Sequence, residues 1–335
     1  MIKTGIIGFG YWGPNLVRNF MNAENCIVTH LADLRIERLN VAKKLYPTVT
    51  TTTQIDDLIN NPEIDAVVIA TPVFTHFQLA KKALQAGKHV MLEKPMVSSV
   101  AECDELMELA NKKGKLLMVD HTFLYTGAVQ KIKDLISQGT LGKLKYFDST
   151  RINLGLFQPD VNVLWDLAPH DISILTFLMS EKPHSINATG ISHTRNQIEN
   201  IAYMTVNYQS DFIGHFNCSW TSPVKVRQTL IGGDKKMIVY NDLDPAEKIR
   251  VYDTGYEHTN DEDKKKIMVD YRVGDVFIPK VSDKEALMGV ANDFIACILN
   301  NKEPLANAKL GLEVVRILEA AQESIKNNGK EVIIK

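Results

Sequence analysis

The sequence predicts a doubly wound α/β domain followed by an α+β domain with a large, mostly antiparallel sheet. Three observations lead there. Over the first 120 residues, short apolar runs such as GIIG, AVVIA and LLMV alternate with helical patterns. Strands that are apolar on both faces and separated by helices point to right-handed βαβ crossovers in a buried parallel sheet. After about residue 126 successive strands are joined by links as short as 208–212, which favour antiparallel hairpins. The third observation is length: 335 residues is two domains at roughly 150 residues each. The boundary is placed between residues 122 and 123.

Taken in order, residues 2–7, 26–31, 66–70, 89–92 and 116–119 read as the strands of the first domain. Residues 14–21, 34–45, 75–85 and 98–112 read as its helices, the third stopped by Gly87. In the second domain, 127–137, 166–179, 285–300 and 309–326 carry helical periodicity, and 185–191, 200–208, 212–220 and 225–231 read as strands. The charged run at 261–266 reads as a solvated loop.

Composition narrows the function classes. Thirty-eight basic against forty acidic residues give a net charge of -2, so no basic excess exists to hold a nucleic-acid backbone. Nineteen glycines and twelve prolines exclude a collagen-like or low-complexity chain. Cys26, Cys103, Cys218 and Cys297 lie far apart with no C-x-x-C pair, which reads as buried thiols in a reducing compartment. His184, His193, His215 and His258 show no ligand spacing, so no metal is expected. The N-terminus lacks the pattern of a secretory signal, and no apolar run approaches the ~18 residues of a membrane span. A cytoplasmic protein without a membrane or nucleic-acid partner is expected.

Two groups of residues carry chemistry. Gly8-Phe9-Gly10-Tyr11-Trp12-Gly13 fits G-x-G-x-x-G between a strand and a helix. There the first glycine allows a tight turn, the second lets backbone approach a pyrophosphate, and the third permits close helix–sheet packing. The helix start then offers amides and a partial positive charge. Asp33 follows the second strand; a carboxylate there accepts ribose hydroxyls and repels a 2′-phosphate, favouring NAD over NADP. Arg35 qualifies this, since it would pair with a 2′-phosphate if Asp33 turned away, and Asp33 also fits a helix N-cap. The second group is Glu93-Lys94-Pro95 at the end of a strand, with Asp166 and His170 four residues apart at the head of a later helix. Ligands of a parallel sheet bind at the carboxyl ends of its strands. A spacing of four puts the aspartate and the histidine on one helix face. An amine and an imidazole are both suited to proton transfer.

These motifs, in this order, resemble the glucose-fructose oxidoreductase / inositol dehydrogenase / rhizopine catabolism (Gfo/Idh/MocA) family over essentially the whole chain. The Ala70-Thr71-Pro72 turn with His76 matches as well. The resemblance implies an NAD(P)-dependent oxidoreductase acting on CH–OH groups. It implies Lys94 as the catalytic residue, with a bond to Pro95 that is often cis in the family, and Asp166 and His170 as residues that orient substrate and assist proton transfer. Thr71 and Pro72 are implied as dinucleotide contacts, with His76 near the ribose and Glu93 and Lys94 in the cofactor set. The chain departs from many relatives at Asn162-Val163-Leu164-Trp165, where glycines are common. It departs again at Asp120-His121-Thr122-Phe123, where Asn-Arg or Gln-Arg is common. The wording GYWGPN and WDLAPHD looks most like the branch acting on nucleotide sugars in surface-polysaccharide metabolism.

The expected reaction is reversible hydride transfer at a sugar carbinol, with Lys94 exchanging the hydroxyl proton. His121, Tyr125, Arg151 and Asn153 are further substrate candidates, and Arg151, Lys225 or Arg227 would pair with a diphosphate. Trp12 reads equally as packing or stacking. The rival readings are an inositol or free-sugar dehydrogenase and a sensor that binds the dinucleotide without turnover. Tyr203, Thr205 and Asn207 alternate with Ala202, Met204 and Val206, leaving one sheet face semi-polar. In the family that sheet commonly pairs, so a homodimer or homotetramer is expected.

Overall fold

A computed structural model of the chain describes residues 1–155, 157–257 and 270–334. The expected loop at 261–266 and His258 lie outside the described residues. The chain forms two compact units: Met1–Tyr125 with Lys284–Arg316, and Thr126–Asp283 with Ile317–Lys335.

The first unit holds six strands: β1 (Ile2–Ile7), β2 (Cys26–Ala32), β3 (Thr50–Thr52), β4 (Ala66–Ile69), β5 (His89–Glu93) and β6 (Leu117–Asp120). They pair in parallel in the order β3-β2-β1-β4-β5-β6. The order reverses between β1 and β4, the switch point where such sheets bind ligands. Ala66, Val67, Val68 and Ile69 are all fully buried, as the apolar run predicted. The crossovers are α1 (Gly13–Asn22), α2 (Ile36–Leu45), α3 (Ile55–Asn60), α4 (Val73–Gln85) and α5 (Val100–Lys113). Local chemistry sets the bounds of α5: the Ser99 hydroxyl accepts from the Glu102 amide, and Gly114 ends the helix at φ 60°. The sequence reading passed over β3 and α3, which at three and six residues are too short for a period to register.

The second unit is built from α6 (Gly127–Ser137), β7 (Leu144–Ile152), α7 (Val163–Leu178), β8 (Ser185–Ile191), β9 (Ile201–Asn207), β10 (Ile213–Ser219), β11 (Val226–Gly233), β12 (Met237–Asn241), β13 (Ile249–Glu257), β14 (Asp270–Phe277) and β15 (Val332–Ile333). The sheet runs β14-β13-β12-β11-β7-β10-β9-β8-β15. Its pairs are antiparallel except β7 with β10, which run parallel from Tyr146↔Ile213 to Ile152↔Ser219. α7 packs on β7, β9 and β10, and covers the face that buries Phe147, Arg151, Met204 and Val206. On β9 the alternation predicted from sequence holds, with Tyr203 48% exposed between buried Ala202 and Met204.

Two helices follow, α8 (Ala286–Asn300) and α9 (Ala308–Lys326). The boundary at 122/123 placed them in the second domain, whereas the compact units put Lys284–Arg316 with the first. The cause is the apolar stripe of α8. Leu287, Val290, Ala291 and Phe294 are buried, and Phe294 meets Phe20 of α1 edge-on at 6.1 Å. Arg18 of α1 adds a two-pronged pair to Glu285, at 2.9 and 2.5 Å. Periodicity reveals an apolar stripe but not the partner that covers it. No described helix is long and apolar enough to cross a membrane.

Candidate active site

The glycine loop joins β1 to α1, and each glycine answers a separate constraint. Gly8 sits at φ +100°, where a Cβ would lie 2.5 Å from the Ala70 carbonyl oxygen. A Cβ on Gly13 would lie 2.3 Å from the Gly8 oxygen. A Cβ on Gly10 would meet only Arg35 Nη2, at 3.5 Å, so the space beside its backbone is open to a phosphate. α1 follows the cap residue Trp12 and has no acidic residue in its first turn, so its own side chains do not neutralise the positive helix end. Tyr11 is exposed and its ring stacks on Trp12, with centroids 6.4 Å apart. Phe9 is buried, and its amide donates to Asp33 Oδ2 at 2.7 Å.

Asp33 is therefore tied to the loop. Its Oδ1 accepts from the Arg35 amide at 2.8 Å and from Arg35 Nε at 3.3 Å. Burial works to raise the carboxyl's pKa, but these donors and the Arg35 charge outweigh it and hold the group below the usual carboxylate range. Asp33 is not the N-cap of α2; Arg35 holds that place, without a side-chain cap bond. Oδ2 carries the single bond from Phe9 and keeps acceptor capacity for a ribose hydroxyl. Arg35 is turned toward Asp33, the arrangement opposite to the one that would favour a 2′-phosphate. The open place at Gly10, the helix start and this carboxylate fit an adenine dinucleotide.

Thr71 and Pro72 follow β4 at the same sheet edge. The two hydroxyls Thr71 Oγ1 and Thr75 Oγ1 lie 2.7 Å apart, and Thr75 donates to the Pro72 carbonyl at 2.7 Å. His76, expected near a ribose, is fully buried instead. Its Nε2 lies 2.8 Å from the Thr71 carbonyl oxygen, and its Nδ1 lies 3.1 and 3.2 Å from those of Pro95 and Met96. Burial and the Lys94 charge push its pKa down against the pull of these carbonyls. The ring thus clamps the Thr71 turn to the segment that follows Lys94.

The Lys94–Pro95 bond is cis. Lys94 leaves the carboxyl end of β5, where Glu93 and Asp120 are register partners on adjacent strands. Both carboxyls are buried, at 8% and 1% exposure. The Lys94 amide donates to Glu93 Oε2 at 3.1 Å, and the Thr122 hydroxyl donates to Asp120 Oδ1 at 2.5 Å. Burial first, and then the Asp120 charge, push Glu93 well above the usual range. His121 is buried, and among the described residues neither ring nitrogen has a hydrogen-bond partner. Burial and the Lys94 charge push its pKa down to about 3, so it is neutral and no acid at neutral pH.

Tyr125, a substrate candidate by sequence, has a structural task instead. Its hydroxyl donates to Asp293 at 2.6 Å and accepts from the Ala306 amide at 3.2 Å, which latches α8 to the turn after β6.

In the second unit Asp166 and His170 lie in the first two turns of α7. The Asn162 side chain caps that helix by accepting from the Leu164 and Trp165 amides, both at 3.1 Å, so Asp166 is not its cap. Instead Asp166 Oδ2 accepts from the Trp220 indole at 2.9 Å, and Trp220 is buried at the end of β10. Pro169 lies between the two and donates no amide proton inside the helix. Arg151 was expected to meet substrate, but it is 4% exposed and grips Asp171 with two bonds of 2.7 Å. A buried guanidinium so engaged does not meet a diphosphate. Arg227 pairs with Asp242 at 3.3 Å. Asn153, half-buried after β7, donates its backbone N–H to the Ser219 carbonyl.

Trp220, Asp171 and Asp120 were missed as site residues. Trp220 and Asp171 carried no local signal, because their partners, Asp166 and Arg151, are distant in sequence. Asp120 carried one: an acid at the end of the strand next to the one ending in Glu93. Among the described residues there is no group of three or more side chains able to hold a metal ion.

Comparison with known proteins now places the chain. Residues 2–121 match the oxidoreductase family with an NAD-binding Rossmann fold, and residues 129–239 match the Gfo/Idh/MocA C-terminal domain. The oxidoreductase YdgJ of Escherichia coli K12 is 34% identical over 185 residues, 50% of this chain. That match spans 51% of YdgJ, about half its length. The scyllo-inositol 2-dehydrogenase (NADP(+)) of Bacillus subtilis 168 is 25% identical over 97% of this chain and 94% of its own. UDP-N-acetylglucosamine 3-dehydrogenase of Acidithiobacillus ferrooxidans is 29% identical over 62% of this chain and 64% of its own. The solved structure of that dehydrogenase superposes on 98% of this chain and 99% of its own, with a TM-score of 0.81 at 20% identity. The chain belongs to the Gfo/Idh/MocA oxidoreductase family, and residues 2–121 are that family's NAD-binding Rossmann domain.

Proposed function

We propose that the chain catalyses reversible, NAD-dependent oxidation of a secondary hydroxyl of a sugar, with a nucleotide sugar preferred. The observation that carries this is Lys94 at the carboxyl end of β5, on the same edge of the parallel sheet as the glycine loop and Asp33. Bound NAD supplies the hydride acceptor. The unprotonated Lys94 amine takes the hydroxyl proton as the carbon loses its hydride, and returns it in the reduction direction. The family resemblance assigns Asp166 and His170 to orienting the sugar, and the Trp220 indole fixes the Asp166 carboxylate within the second unit. The relatives named UDP-N-acetylglucosamine 3-dehydrogenase and scyllo-inositol 2-dehydrogenase support a cyclic polyol or sugar as substrate.

Reduced-nicotinamide absorbance measured over nucleotide sugars, free sugars and inositols, with NAD and NADP in parallel, tests this reading. The expected result is the highest kcat/KM on a nucleotide sugar with the lower cofactor KM for NAD. A lower KM for NADP would remove the role given to Asp33. Activity on inositol alone would make the chain an inositol dehydrogenase, and NAD binding without turnover on any of them would make it a sensor.

We also propose that the semi-polar face of Tyr203, Thr205 and Asn207 pairs with a second copy. Its exposed aromatic and aliphatic side chains, Tyr203 and Ile213, support this. Sedimentation is expected to show a dimer or tetramer; a monomer at micromolar concentration would count against it.

A further inference from the structure

The glycine loop carries three aromatic side chains with different fates. Phe9 is buried in the core, whereas Tyr11 is exposed and Trp12 keeps 39% of its surface accessible. Leaving so much of a large apolar ring in water forgoes the stabilisation that burial gives Phe9. Trp12 is nonetheless held in place. The Tyr11 ring stacks on it, with the two planes 15° apart. Its indole N–H lies within reach of the Asp120 carboxyl, where it favours the anion. These two contacts place the ring. The loop follows β1 and Asp120 ends β6, with the ends of β4 and β5 between them in the sheet order. Trp12 therefore spans the stretch of the ligand edge from which Thr71 and Lys94 depart. On its other flank are Gly10, whose backbone is open to a phosphate, and Asp33, with acceptor capacity for a ribose hydroxyl. A dinucleotide that runs from Asp33 across the glycine loop ends with its nicotinamide on the side of β4 and β5, where Trp12 stands.

We propose that Trp12 is the wall on which the nicotinamide ring lies, and that its π face favours the oxidised cofactor over the reduced one. The oxidised ring is a pyridinium cation, whereas the reduced ring is neutral. A cation over an indole face is attracted by the ring quadrupole beyond what stacking alone gives. Tyr11 and Asp120 order the indole before the cofactor arrives, so little freedom is lost on binding. Trp12 exchanges no proton; it holds the ring and biases its redox state. The inference deepens the proposed function, but it rests only on NAD binding by residues 2–121 and on neither the sugar nor the role of Lys94.

Calorimetric titration of the free protein with NAD and with NADH tests this without any sugar. Trp12→Leu keeps an apolar side chain and removes the π face. Its Kd for NAD is expected to rise roughly 3- to 30-fold, the range of a lost cation–π contact. Its Kd for NADH is expected to rise less, so that the ratio of the NADH Kd to the NAD Kd falls by about threefold or more. Trp12→Phe restores an aromatic face and is expected to recover most of the NAD affinity and of that ratio. An unchanged ratio in Trp12→Leu, or an NAD affinity equal to wild type, would overturn the proposal.

Fluorescence gives a second reading that does not need Trp12→Leu to fold. A pyridinium quenches an excited indole only at contact, so NAD is expected to quench part of the wild-type tryptophan emission. The other tryptophans of the chain are Trp165 and Trp220. Trp12→Phe is expected to lose the quenching while it still binds NAD. Quenching that persists in Trp12→Phe, or none in the wild type at saturating NAD, would contradict the contact. Absence of wild-type turnover on every sugar would instead overturn the reading of Lys94, with the role of Trp12 decided by the two titrations alone.

Discussion

Lys94→Ala is expected to lower kcat by about 10²- to 10⁴-fold, the range of a lost general acid–base step, while NAD still binds. The reason lies in separation of tasks within the first unit. The groups proposed to hold the dinucleotide are backbone of the Gly8–Gly13 loop, the start of α1 and Asp33, and Asp33 is fixed by Phe9 and Arg35 rather than by Lys94. Removing the amine therefore deletes the proton acceptor without loosening the cradle. Lys94→Arg is expected to lose as much, since a guanidinium keeps the charge but does not give up its proton at working pH. Steady-state kinetics beside a fluorescence titration with NAD separate the two effects. A Lys94→Ala enzyme with near-normal kcat would assign the base elsewhere.

Arg151→Ala is expected to destabilise the protein by about 3–5 kcal/mol, because it leaves Asp171 as an uncompensated buried charge. Arg151 and Asp171 are 4% and 2% exposed, and Asp171 follows His170 directly in α7. Their two 2.7 Å bonds tie that helix to β7. The paired replacement Arg151→Met with Asp171→Leu removes both charges and is expected to recover most of the stability, since a buried ion pair and an apolar pair of similar volume are often close in energy. Denaturant unfolding of wild type, single and double variants checks both. A single variant within about 1 kcal/mol of wild type would mean that water reaches the pair.

Much of the fold was legible in the sequence because all but the shortest elements of the first unit, β3 and α3, carry their own signal. β1, α6 and β8 were read to the residue, and the other elements given a range to within a few residues. The strands β12 to β15 were not read, since they lack a strong apolar period and gain their place by pairing. The placement of α8 was not legible either, because its partner Phe20 is distant in sequence. Within the candidate site, the glycines, Asp33, Lys94, Asp166 and His170 were legible as residue types at telling spacings. Burial was not, and burial is what reassigns His76 and Arg151, while the bonds of its hydroxyl to Asp293 and Ala306 reassign Tyr125. An arginine near a predicted site reads as an anion contact until the structure shows Asp171 already holding it. Trp220 was read only as a strand end; its bond to Asp166 spans 54 positions.

Direct hydride transfer from a sugar carbinol is open to a test with deuterium. A turned-over sugar deuterated at the oxidised carbon is incubated with NAD, and the reduced cofactor is weighed by mass spectrometry. One deuterium is expected in the nicotinamide ring with wild type, and the same label, formed far more slowly, with Lys94→Ala. Deuterium released to water, with none in the cofactor, would contradict it.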